Sequence, residues 1–187
     1  MTSPIPSLPA FTTLPTLDDP SLKQILDLLF EPSPPLHTLV LPLLRSTPYP
    51  NYDALISAIR SKLLALASSS SKDGDVDLLS QILCAHPRLG EKKISSEQSR
   101  REQAQLHGGK DEEARMLEEL NRQYEETFPG LRYVVFVNGR PRPEIMDNMR
   151  ARIARGDIQA ERLEAIEAMC DIAADRAKKL LRQQEAQ

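Results

Sequence analysis

Apolar residues recur three and four positions apart in one segment after another, and prolines separate the segments. That spacing puts one apolar stripe on each of several helices, whereas half-buried strands need strict alternation. Leu22, Ile25, Leu26, Leu28 and Leu29 give the first stripe, which runs through Phe30. Asp18-Asp19-Pro20 signals its start, and Pro32, Pro34 and Pro35 stop it. A second helix is expected over 36–45, distorted by Pro42. After Pro48 and Pro50, Asn51 or Asp53 caps a third with Leu55, Ile56, Ile59, Leu63, Leu64 and Leu66 on its core face. A fourth covers 76–85, with Leu78, Leu79, Ile82 and Leu83 buried. Ser96 or Ser99 opens a long polar helix that Gly108-Gly109 interrupts. Residues 111–128 follow, with Met116, Leu117, Leu120, Tyr124 and Phe128 on one side and Pro129-Gly130 as the stop. Two helices, 143–154 and 158–183, complete the chain. The one β-like run, 131–137, has no partner strand and is expected to lie extended against the helices.

The expected fold is therefore all-α: a single-domain helical bundle of about eight helices with no sheet. Residues 1–17, rich in proline, read as an extended N-terminal arm, and 18–187 as the helical domain. The serine run 68–75 and residues 88–95 read as loops. The 187 residues fit one domain, and 24 basic residues are mixed with 27 acidic ones for a net charge of −3. That balance argues against a nucleic-acid partner. No apolar run approaches the roughly 20 residues that span a bilayer, so no membrane partner is expected. The start has neither a basic nor an apolar leader region, and the last residues are not a Ser-Lys-Leu type of address. A cytoplasmic or peroxisomal protein with reduced Cys84 and Cys170 is expected.

His37, His86 and His107 share no metal-binding spacing and the cysteines form no CxxC pair, so no metal site is expected. His86 follows an apolar helix and precedes Pro87. Taken alone it reads as a helix C-terminal cap rather than a catalytic group. Ser99, Glu102 and Gln103 share one helix face, where Ser99 and Glu102 also satisfy the pattern of a capping box. Asn121 and Tyr124 read as polar edge packing, and Arg176 as either a surface ion pair or a clamp for a planar anion.

Taken in order, these pieces resemble the 2-oxo-4-hydroxy-4-carboxy-5-ureidoimidazoline (OHCU) decarboxylase family of urate degradation, from about residue 14 to residue 181. The resemblance lies in Phe30-Glu31-Pro32-Ser33-Pro34, Tyr52-Asp53-Ala54-Leu55, Leu83-Cys84-Ala85-His86-Pro87-Arg88-Leu89-Gly90 and Ser99-x-x-Glu102-Gln103. It continues through Leu120-Asn121-x-x-Tyr124, the run Tyr133 to Val137, Arg152, Glu161 and Ile172-x-x-x-Arg176. Arg88 replaces the family's acidic residue after His-Pro, the family's Ala-Gly is absent after Gln103, and residues 128–133 depart from its aromatic-glycine pattern.

The resemblance implies decarboxylation to (S)-allantoin without cofactor or metal, because the substrate ring is its own electron sink. It implies His86 as the proton donor and Glu102 as the group that orients the substrate or His86. Arg176 would anchor an anionic or carbonyl oxygen. Pro87, Ser99, Gln103 and the backbone of Tyr133, Val134, Val135, Phe136 and Val137 would bind the ureidoimidazoline. A homodimer is implied too. Two alternatives stand beside this reading: an inactive helical interaction protein on the same scaffold, and a lyase or hydrolase acting on another ureido compound.

Overall fold

A computed structural model describes residues 7–46, 48–68, 73–91, 96–103 and 111–185 of the chain. Residues 69–72 of the serine run, the 92–95 end of the following loop and the Gly108-Gly109 break lie outside those residues. Among the described residues there are eight α-helices, one 3-10 helix and no strand, the all-α single domain that the apolar spacing predicts. No helix there is long and apolar enough to cross a membrane.

A 3-10 helix, Phe11–Thr16, precedes α1 (Asp19–Leu29) and α2 (Pro34–Ser46). Asp18 caps α1, its carboxylate accepting from the Ser21 N–H at 2.9 Å. Pro34 and Pro35 open α2 instead of separating it from α1, because the first turn of a helix needs no N–H from them. The Ser33 hydroxyl accepts from the Leu36 N–H at 3.4 Å. Asn51 caps α3 (Tyr52–Ser68), accepting from the Ala54 N–H at 2.9 Å. α4 (Asp73–Leu83) starts three residues before its expected start and ends two residues before its expected end, so residues 73–75, expected as loop, are helical.

Ser96 opens α5 (Glu97–Gln103), its hydroxyl accepting from the Ser99 N–H at 3.2 Å. Ser99 is thus an interior residue, and the capping-box reading of Ser99 with Glu102 is corrected. α6 (Asp111–Thr127) buries Leu117, Leu120 and Tyr124, but Met116 is an exposed side chain rather than part of the stripe. α7 (Arg142–Arg155) and the long α8 (Ile158–Glu185) complete the bundle.

α8 is the axis on which the rest is assembled. Ala165, Ile166, Met169, Cys170, Ala173 and Ala177 run along it fully buried, and α3, α1 and α4 pack against it. Its small residues let the facing ridges approach closely. α6 packs on α7. The segment 131–137 is neither helix nor strand, as expected, and lies against this core with Leu131, Tyr133, Val134 and Val137 buried.

Segment 131–137 is held by side chains. Arg152 of α7 donates to the Val134 carbonyl at 3.1 Å, and its guanidinium lies 4.7 Å over the Tyr133 ring. The Tyr133 hydroxyl donates to Asn148 Oδ1 at 2.6 Å. Arg152 is itself paired with Glu161 of α8, which also accepts from the Tyr124 hydroxyl. Both members of that pair are buried.

Candidate active site

α4 ends where Pro87 removes a donor and biases His86 out of the helical region. The chain then turns through Leu89 and Gly90, and three side chains from elsewhere collect its polar groups. Gln103 accepts from the Gly90 N–H at 2.7 Å and donates to the Arg88 carbonyl at 3.4 Å. Asn121 donates to the Leu89 carbonyl at 3.0 Å, and Arg132 to the Cys84 carbonyl at 2.9 Å. Gly90 has φ +79°, and a Cβ there would meet Leu117 at 2.6 Å, so only glycine fits the turn. Asn121 is therefore a brace for the His86 turn rather than edge packing.

This bracing delivers His86 into the wall of a cavity of about 190 Å³. Pro87, Ser99, Glu102, Gln103 and the run Tyr133, Val134, Val135, Phe136 and Val137 line the same cavity. Arg101, Asp175 and Lys179, which the sequence did not single out, line it too, with Lys179 paired to Asp175 at 2.6 Å. Among the described residues no backbone N–H of residues 133–137 has a hydrogen-bond partner.

Both ring nitrogens of His86 are buried without a hydrogen-bond partner among the described residues. Burial, reinforced by the positive charge of Arg176, pushes its pKa down to about 3, so the imidazole rests neutral. The helix-capping reading, which needs a cation, does not describe this side chain.

Arg176 is buried on α8 and stands behind Glu102, not in the wall of this cavity; it lines a neighbouring hollow of about 150 Å³ that shares Glu102. Its Nε donates to Glu102 Oε1 at 2.6 Å and its Nη2 to Glu102 Oε2 at 2.7 Å, a two-pronged grip. Nη2 also donates to Glu31 Oε1 at 2.7 Å and Ser99 Oγ at 3.0 Å, and Nη1 to the Leu29 carbonyl at 3.4 Å. Burial opposes the charge of Arg176, but Glu102 and Glu31 outweigh it and raise its pKa. The surface ion-pair reading of Arg176 is corrected: the pair is internal. Glu31, absent from the candidates, is one of the buried charges of this cluster. Its signals in the sequence were its place in Phe30-Glu31-Pro32-Ser33-Pro34 and its position as a lone acid between an apolar helix and a proline.

Arg88 lies outside the cavity lining and pairs in two-pronged fashion with Glu125 of α6, at 2.5 and 2.6 Å. The exchange of an acidic residue for Arg88 therefore leaves the charge of the site itself unaltered.

Among the described residues no group of three or more His, Cys, Asp or Glu is arranged to hold a metal ion. The site offers instead a neutral imidazole, a fixed carboxylate and the extended segment 133–137 around a small cavity. Those features suit proton transfer on a small heterocycle. No curated protein is similar enough to count as a match. The sequence profile of OHCU decarboxylase matches residues 15–178 of the 187-residue chain, so every cavity-lining residue named above except Lys179 falls within it. With nearly the whole bundle covered, the chain belongs to the OHCU decarboxylase family, a family of carboxy-lyases.

Proposed function

We propose that this cavity decarboxylates OHCU to (S)-allantoin and CO2 without a cofactor, with His86 moving the proton and Glu102 orienting the substrate. The observation that carries the reading is the unpartnered His86 ring at the cavity wall. A buried polar ring without partners costs stability, and a bound substrate would supply them.

The substrate carries hydroxyl and carboxylate on one ring carbon, next to a ring C=N. When CO2 leaves, its bonding pair moves into that C=N and the ring nitrogen takes up a proton from solvent. The enol left behind becomes the ketone by losing its hydroxyl proton while the neighbouring carbon gains one. A neutral His86 suits this last exchange. It accepts the hydroxyl proton and returns it to the carbon from one face, which gives a single enantiomer. His86 is thus a donor of a proton that the substrate first supplies.

Glu102, gripped by Arg176, accepts substrate donors along one direction only, and the 133–137 backbone donors hold the ring and ureido oxygens. Arg176 acts through Glu102, and Gln103 through the His86 turn. The test generates OHCU afresh with urate oxidase and the following hydrolase, and follows (S)-allantoin by circular dichroism. Wild-type protein is expected to exceed the spontaneous rate, and His86→Asn to lose about 100-fold or more of that gain. Wild-type protein that adds nothing to the spontaneous rate would sink the reading.

A further inference from the structure

Glu31 has no part in the proton chemistry above, yet the fold goes to unusual lengths to place it. It follows α1 with φ +123°, a backbone region that side-chain-bearing residues rarely adopt. Such a conformation persists only where its surroundings enforce it, and it marks sites that need a group in one place. The side chain is 3% exposed. Its Oε1 accepts from the Ser99 hydroxyl at 2.6 Å and from Arg176 Nη2 at 2.7 Å.

A guanidinium beside a single carboxylate can pivot about it. Arg176 is instead held from two sides: Glu31 from the end of α1, and Glu102 from α5. Ser99, one turn before Glu102, bridges them by donating to Glu31 and accepting from Arg176. The direction in which Glu102 faces the cavity is therefore set jointly by Arg176, Ser99 and Glu31.

We infer that Glu31 is a positioning residue for the decarboxylation, fixing Glu102 through Arg176 and Ser99 without touching substrate. This rests on the functional reading above. It also explains the strained backbone: a glycine would relax φ but would leave Arg176 without its carboxylate partner at the end of α1.

The test is a cycle of Glu31→Gln, Glu102→Gln and the double variant, each measured for kcat and KM in the circular dichroism assay. Glu31→Gln keeps the shape and removes the charge. It is expected to lower kcat about tenfold or more with KM changed less than about threefold, since orientation rather than binding is lost. In the Glu102→Gln background the same change is expected to cost less than about twofold, because a residue acting through Glu102 has nothing left to act on. Losses that multiply in the double variant would overturn the inference, as would a Glu31→Gln enzyme indistinguishable from wild type. Wild-type protein without activity would instead remove the functional reading on which the inference stands. If Glu31→Gln does not fold, Ser99→Ala breaks the bridging hydroxyl and carries the same cycle with the same expected non-additivity.

Discussion

His86 couples the chemistry of the site to the stability of the fold. The unfolded chain carries this imidazole with a pKa near 6.5, whereas burial and Arg176 hold it at about 3 in the fold. Between those two values the unfolded state binds one proton more than the native state, so stability from this group is present above pH 6.5 and falls as the pH drops. The slope approaches 1.4 kcal/mol per pH unit for one proton. Urea unfolding of wild type and His86→Asn at pH 7 and pH 5 isolates the effect, because the remaining carboxylates titrate in both proteins. Wild type is expected to lose about 2 kcal/mol more than the variant over that interval. Parallel losses would show that His86 is not held neutral. From sequence, His86 was legible as a site residue only through its company, since a histidine before a proline at a helix end also suits a cap. Its missing partners and the charge behind it are tertiary facts.

At the scale of elements, the helices were legible because each buries one stripe at helical spacing. The corrections fall where a local polar group or a proline decided a boundary: Ser96 capping α5, and Pro34 starting α2. The extended run 131–137 was legible too, but not what holds it. Arg152 and Glu161 lie nine residues apart on separate helices, and only their packing makes them a pair that reaches Val134. Glu161 is fully buried, so removing its partner leaves a charge inside the core. Arg152→Met is expected to destabilise the fold by about 3 kcal/mol or more, with Arg155, 3.1 Å from Glu161, limiting the loss. Unfolding by urea reads the cost. A change below about 1 kcal/mol would mean that the pair is not structurally required.

At the scale of the molecule, the site is built from distant parts of the chain: Glu31 and Arg176 meet across 145 positions. Such a site exists only when the whole bundle closes, and the N-terminal segment contributes to that closure. The stretch expected to be an extended arm forms a 3-10 helix from Phe11 to Thr16, with Leu8 and Leu14 each 2% exposed. Tyr52 donates to the Pro9 carbonyl at 2.9 Å, Arg45 to the Pro15 carbonyl at 3.0 Å, and Gln184 near the other end to the Leu8 carbonyl at 2.8 Å. Phe11 meets Tyr52 edge-on, with ring centroids 5.1 Å apart. Residues 7–17 are therefore proposed to unfold together with the helices rather than as a separate arm. Leu14→Ala tests this without altering the site. In a cooperative core it leaves a cavity and costs about 2–4 kcal/mol in the global urea transition, with the slope of that transition unchanged. If the segment detached on its own before the bundle unfolds, the global midpoint would stay where it is, and the boundary would belong after residue 17.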